Sequence, residues 1–323
     1  MTPWPPGFPR IPDEPWVDAP VEQLALKYDT VERHGWYRNL EPTLDQLEAY
    51  VEDDHVLIDY SGGTGILVDR YFERRPDGQT RFVIVDASPK FLRLAVEKLG
   101  GDPRVAFRWI EYRKDERRLW RLDEVLPDDF RADGLASTNA IHLYYDLDET
   151  LRSWWRCLRP GARAFVQSGN IRHPDLAPGQ WIIDETVEAI HRAARALVAE
   201  EDRWTAYRDV GDLEAYDRLR AKYFLPVRPL AHYLDALTNA GFTIEAVDLH
   251  PIGAEVEEWY DFLAVYHEGV LGWVGGTKKI AGREPTAGAV RDRLEVLRAA
   301  MGRVFGGRAG FTCGWTYVTA VRA

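Results

Sequence analysis

Val56-Leu57-Ile58 is a short apolar run that ends in Asp59 and enters the small-residue stretch Ser61-Gly62-Gly63-Thr64-Gly65, after which apolar character resumes at Ile66. The pattern predicts a buried strand, a tight glycine turn and a helix leaving it. Phe82-Val83-Ile84-Val85 is a second apolar run and also ends in an acid, Asp86. Elsewhere the period changes. Ile183, Val187, Ile190, Ala194, Leu197 and Val198 recur at helical spacing and predict an amphipathic helix over Asp184 to Glu200. Helices are also expected over Val256 to Val270, over Thr286 to Val304, and in pieces between Val21 and Val51. Prolines at 3, 5, 6, 9, 12, 15 and 20 make the first twenty residues read as an extended arm.

A glycine turn at a helix start lets the polar end of a ligand approach bare backbone N–H groups. An acid closing the next strand can accept both hydroxyls of an adenosine ribose. Together they point to a nucleoside-containing cofactor. A dinucleotide fingerprint would need glycine at position 68, where Val68 stands, and no phosphate loop of the G-x-x-x-x-G-K-[ST] type occurs. Asp59 to Gly65 instead resembles the acid-x-G-x-G-x-G motif of the class I S-adenosylmethionine (SAM) methyltransferases. Asp59 matches the acid, Gly63 and Gly65 match two glycines, and Ser61 stands where the first glycine usually is. That departure puts the local turn geometry in question.

Further segments resemble the same family in order. Asp86-Ala87-Ser88-Pro89 looks like the end of its second strand, Val105 to Glu111 its third, Ala132 to Leu143 its fourth, and Ala162 to Ser168 its fifth. Leu151 to Gly161 is similar to the helix and Pro-Gly turn before that fifth strand, Leu237 to Phe242 to the approach to strand six, and Phe311 to Val321 to strand seven. The resemblance implies an α/β fold: a seven-stranded, mostly parallel, doubly wound sheet. An N-terminal arm and helical lid (1–52) precede a Rossmann-like core (53–170, continued at 229–252 and 311–323). Two helical cap insertions, 171–228 and 253–310, interrupt it. It implies SAM as cofactor, with S-adenosylhomocysteine as product. The residues it marks for the cofactor are Tyr37, Asp59, Ser61, Gly63, Gly65, Asp86, Ala87, Ser88, Glu111 and Asn139. Glu111 falls near the expected adenine amine, and Tyr37 near the methionine end. Tyr37 has a plainer alternative, packing the lid onto the sheet with Tyr28 and Trp36.

Methyl transfer requires the acceptor atom in line with methyl and sulfur. An amine needs only placement as its free base, whereas a hydroxyl usually needs a catalytic base. His142, at the end of strand four, and His173, after strand five, are the candidate bases. Packing beneath the cofactor and an ordinary surface position are the respective alternatives. Tyr144, Tyr145 and Asp146 either shape the acceptor mouth or, through Asp146 and Asp148, cap a helix. Trp181, Trp204, Trp259 and Trp273 in the insertions suit a cap over a largely apolar small molecule; packing helices onto a sheet needs such residues too.

Charge narrows the partners. Lys and Arg number 41 against 52 Asp and Glu, a net of −11, which disfavours nucleic acid and anionic membranes. The basic run Arg113 to Arg121 reads as a solvated face. No apolar run is long enough to span a bilayer. Cys157 and Cys313 are the only cysteines, no metal-type spacing occurs, and a cytoplasmic location is expected. The expected activity is methyl transfer to a small-molecule amine or hydroxyl. A non-methylating decarboxylation or cyclisation on the same fold, or SAM binding without catalysis, are the alternatives. The oligomeric state is open, a homodimer being one option.

Overall fold

The computed structural model describes residues 4–5, 7–208, 210–223 and 225–323; Pro3 and Pro6 of the arm lie outside the described residues. One seven-stranded sheet is formed by β1 (Val56–Tyr60), β2 (Arg81–Asp86), β3 (Val105–Trp109), β4 (Ala132–Thr138), β5 (Leu158–Ser168), β6 (Phe242–Glu255) and β7 (Gly310–Arg322). Its order is β3-β2-β1-β4-β5-β7-β6. Neighbours from β3 through β5 are parallel. β7 runs antiparallel between β5 and β6. The strand order reverses between β1 and β4, which is where open α/β sheets place their ligand crevice, outside the carboxyl ends of the strands. Asp59, Asp86, Thr138 and Gln167 stand at or near those ends, in the register pairs Asp59↔Ala136, Asp86↔Trp109 and Thr138↔Gln167.

The helices are α1 (Gln23–Val31), α2 (Glu41–Tyr50), α3 (Ile66–Arg74), α4 (Pro89–Leu99), α5 (Leu147–Cys157), α6 (Ile183–Glu200), α7 (Val210–Tyr223), α8 (Leu230–Asn239), α9 (Val256–Val265), α10 (His267–Leu271) and α11 (Ala287–Phe305). A 3-10 turn, Gly35–Leu40, joins α1 to α2. Alternate strand residues divide the core. Leu57, Ile84, Phe107 and Phe165 face the lid, α3, α4 and the insertion helices. Ile58, Val83, Val85 and Val166 face α5 and α8. Fully burying each such side chain contributes about 1.5–3 kcal/mol.

The apolar stripe expected on α6 is the buried one, and it packs against α11 of the second insertion. α1 packs on α9 and α4. The Glu258 carboxylate on α9 accepts the Gly35 N–H at 3.0 and 3.1 Å. Lid and insertions therefore touch one another above one sheet face.

Three details differ from expectation. The helix expected over Val256 to Val270 is two, broken at Tyr266. β6 continues to Glu255, because β7 pairs with it as far as Glu255↔Gly310, so the second insertion leaves the sheet later than position 253. β5 begins at Leu158, ahead of the Pro160-Gly161 turn, with a register irregularity against β4 between Ala132 and Gly134.

The arm has a definite berth. Arg10 O accepts the Phe107 N–H of β3 at 2.8 Å. The Arg10 guanidinium donates to the carbonyls of Asp102 (2.8 Å), Val105 (2.7 Å) and Gly100 (3.2 Å). Phe8 stacks between Trp4 and Phe130. β3 is an edge strand, so the arm covers hydrogen-bonding groups that would otherwise be open.

Arg70 on α3 fastens the lid, donating to Glu32 O at 2.9 Å and Tyr37 O at 3.1 Å. Arg70→Ala should destabilise the protein by about 1–3 kcal/mol and speed amide exchange across residues 23–40. Wild-type exchange in that segment, measured by mass spectrometry, would show that the lid is held by other contacts.

Candidate functional site

The turn after β1 is shaped by what lies beneath it. Gly65 has φ +82, and a Cβ there would lie 2.8 Å from Leu99 Cδ1, so glycine is needed for α3 to start this close to α4. A Cβ on Gly62 would lie 2.5 Å from Asp59 Oδ2: the turn crosses directly over that carboxylate. Gly63, at φ +57, faces open space. Asp86 ties the turn to β2, its Oδ2 accepting the Gly63 N–H (2.9 Å) and its Oδ1 the Ser88 N–H (2.7 Å). Ala87 is exposed, and its carbonyl accepts from Trp109 Nε1 at 3.2 Å.

Ser61 adopts the left-handed backbone, φ +61, that glycine occupies without penalty. Its hydroxyl is 3.0 Å from the Tyr144 hydroxyl, which is 2.9 Å from Ser137 Oγ. The departure from the glycine pattern is thus wired into a three-hydroxyl chain joining the ends of β1 and β4.

Two acids stand out electrostatically. Asp59 is fully buried, neither carboxylate oxygen has a partner, and burial, aided by the charge of Asp86, pushes its carboxyl up to about 7. Glu32, just past α1, accepts the Thr64 hydroxyl on Oε1 at 2.6 Å, while Oε2 has no hydrogen-bond partner. Burial pushes its carboxyl up to about 8, against the opposing Thr64 bond and the Lys98 charge. Tyr37 is buried and donates to the Tyr28 hydroxyl at 3.0 Å. Tyr28 stacks on Phe91, with Tyr266 edge-on. Tyr37 therefore belongs to an aromatic cluster in which lid, α4 and second insertion meet. A cleft of about 550 Å³ between this lid and helices α3 and α4 is lined mostly by charged residues, among them Glu32, Asp69, Arg70 and Lys98, and its lining does not include Asp59 or Asp86.

Across the sheet, Asn139, at φ +50, donates its N–H to Gln167 O at 2.7 Å. Asn170 Oδ1 accepts the Asp184 N–H (2.7 Å), so its Nδ2 donates to His142 Nε2 (2.9 Å). That leaves the neutral ring's proton on Nδ1, facing Ser168 Oγ at 3.0 Å. Burial pushes His142 down to about 3. The ring is neutral and its lone pair is engaged. His173 lies apart from these bonds, its Nδ1 accepting the Asp175 N–H at 3.1 Å. Glu111 is exposed beyond β3, and its carbonyl accepts from Trp120 N. Asp146 occupies the N-cap position of α5, but its side chain makes no capping bond. Among the described residues, Glu52, Asp54 and His55 form one group with metal-compatible spacing; it precedes β1, at the sheet edge opposite the glycine turn.

Asp59, Ser61, Gly63, Gly65, Asp86, Ala87 and Ser88 thus share one crevice edge, with Asn139 and His142 beside it across β4. Glu32 and Gln167 were not singled out in the sequence, whereas Tyr144, expected at the acceptor mouth or beside a helix cap, lies in the hydroxyl chain with Ser61 and Ser137. Gln167 had a signal, a polar side chain at an inward position of an apolar strand. Glu32 had none.

No protein-family model and no curated protein matches the chain. Among solved structures, its fold is similar to a SAM-dependent methyltransferase from Geobacter sulfurreducens in complex with S-adenosyl-L-homocysteine (TM-score 0.51, 16% identity, covering 95% of this chain and 100% of that one). It is also similar to the YcgJ protein from Bacillus subtilis (TM-score 0.51, 12% identity, covering 88% and 98%). The fold is that of the class I SAM-dependent methyltransferases. Within that methyltransferase fold, the Asp59–Gly65 turn and Asp86 occupy the crevice at the strand-order reversal.

Asp59 gives a pH signature. A carboxyl raised in the folded state holds its proton more tightly there than in the unfolded chain, so stability falls as pH rises from about 4 to about 7. Asp59→Asn removes that loss. In urea unfolding without ligand, the variant should match wild type near pH 4 and exceed it by a few kcal/mol near pH 8. An advantage independent of pH would mean that Asp59 does not carry the shift.

Proposed function

We propose that this protein binds SAM and transfers its methyl group to a small molecule, an amine or a hydroxyl compound, held under the lid and insertions. The observation that carries the cofactor is the Asp59–Asp86 edge. Asp59 offers a buried carboxylate with both oxygens unpartnered, which suits the ammonium of a methionine moiety. Gly63 leaves open space above the turn. Asp86 keeps further lone pairs for ribose hydroxyls after taking its two backbone N–H groups. These are features of this chain's own residues, and they fit the group.

SAM held by Asp59, Asp86 and the turn at Gly63 would supply an electrophilic methyl group for the lone pair of the acceptor. The protein's part is to hold the acceptor in line and exclude water. The aromatic cluster of Trp36, Trp259 and Phe262 packs the lid onto the second insertion and supports that exclusion. His142 is proposed to position the ends of β4 and β5 through Ser168 and Asn170. No helix among the described residues is long and apolar enough to cross a membrane.

Asp86→Ala should weaken S-adenosylhomocysteine binding by about 1–3 kcal/mol, since it removes the ribose acceptor and frees the turn. Gly63→Val should weaken it further by filling the open space. Titration calorimetry on both variants decides the matter; unaltered affinity in the pair would rule out this edge as the cofactor site.

A further inference from the structure

Hydrogen-bonding capacity is unbalanced on the acceptor side of the crevice, and the imbalance has a chemical sign. Gln167 is fully buried on β5, with neither Oε1 nor Nε2 partnered. Asn139, joined to it by the 2.7 Å backbone bond, has a buried, unpartnered Oδ1. Asn39, in the lid, also has a buried, unpartnered Oδ1. Tyr317, the register partner of Gln167 on β7, donates to Asn39 O at 2.7 Å, which sets this lid residue beside the same strands. Leaving such groups unsatisfied disfavours the empty site. With the buried, unpartnered indole N–H of Trp36 in the same lid, carbonyl oxygens make up three of five such groups, and those three are completed by hydrogen-bond donors.

Resting on the methyltransferase reading above, we propose that the acceptor is an amine. Its N–H groups are held by the side-chain carbonyls of Asn139 and Gln167, and Gln167 is the residue that selects amine over hydroxyl. Gln167 Nε2 remains for an oxygen on the same molecule.

The surrounding groups agree. A hydroxyl acceptor must hand its proton to a base. The His142 lone pair is engaged by Asn170, and the Tyr144 hydroxyl is engaged by Ser61 and Ser137. Asp59 is committed to the ammonium of the methionine moiety in that reading, and Glu32 is held at Thr64 on the lid side. An amine reaches the site as its free base, the proton having gone to water. Its nitrogen forms the N–CH₃ bond as S–CH₃ breaks, the electron pair stays on sulfur, and positive charge passes from sulfur to nitrogen. The new ammonium then loses a proton to water. As charge builds on nitrogen its N–H groups become stronger donors, so the Asn139 and Gln167 carbonyls bind the transition state better than the ground state.

The test is binding to the protein saturated with S-adenosylhomocysteine, read by titration calorimetry. The probes are three matched pairs: benzylamine with benzyl alcohol, 2-phenylethylamine with 2-phenylethanol, and 3-phenylpropylamine with 3-phenylpropanol. Beside the neutral sulfur of S-adenosylhomocysteine the probe binds as its ammonium form, standing in for the methylated product, and at least one amine should bind about tenfold or more tighter than its alcohol, a difference of about 1.4 kcal/mol. Gln167→Leu should erase that preference while S-adenosylhomocysteine affinity, which also reports folding, stays within about twofold. Gln167→Glu, nearly isosteric and an acceptor at both oxygens, should keep or raise the preference. The proposal is overturned if alcohols bind as well as amines, if no amine binds, or if Gln167→Leu retains the preference. If wild-type protein does not bind S-adenosylhomocysteine at all, it is the methyltransferase reading that fails.

Discussion

The Asp86 carboxylate sets the geometry of the whole ligand edge. Its two oxygens take one N–H from the turn after β1 and one from the start of α4, both at charge-assisted distances. β2 is paired along its length with β1 and β3, so Asp86 is anchored by the sheet and the loops are anchored by Asp86. The height of the turn follows: Gly62 falls across Asp59, and Thr64 comes within reach of Glu32. α3 starts from that turn, and Arg70 on α3 holds the lid. Lid position is therefore inherited from a side-chain bond two elements away.

The same edge stores unfavourable electrostatics. Asp59 and Glu32 are buried carboxyls held far above their ordinary range, and each leaves oxygens without hydrogen-bond partners. A sequence selected only for stability would place apolar or paired groups at these positions. Local consistency with the fold is broken at the crevice, as expected where binding sets the requirement.

Legibility in the sequence followed the same division. The strand–turn–helix at Asp59 to Gly65, the acid at Asp86 and the α6 stripe were readable because backbone conformation and burial impose local, periodic signals. The length of β6 was not, because it depends on β7, more than fifty residues further along the chain. Ser61 read as a defect in a glycine motif. Only the spatial meeting with Tyr144 and Ser137 shows it as a linked position. His142 was legible as a residue beside the site but not in its role, since burial keeps it neutral and its tautomer is decided by Asn170 and Asp184, which lie on another strand end and another helix. Gln167 matters for what it lacks, and missing partners cannot be counted before the fold is known.

The berth of the arm bears on how the chain comes to be folded. Residue 10 pairs with residue 107, so this segment waits for its partner in the sheet until the third strand has been made. β3 in turn has an open edge until the arm returns to it. The arm is thus made before the strand that secures it. During synthesis at roughly 5–20 residues per second, the proline-rich composition serves a second purpose, because prolines lack the N–H that would let the waiting arm pair with a neighbouring chain. The arm is kept unattractive to strangers during the interval in which its own strand does not yet exist.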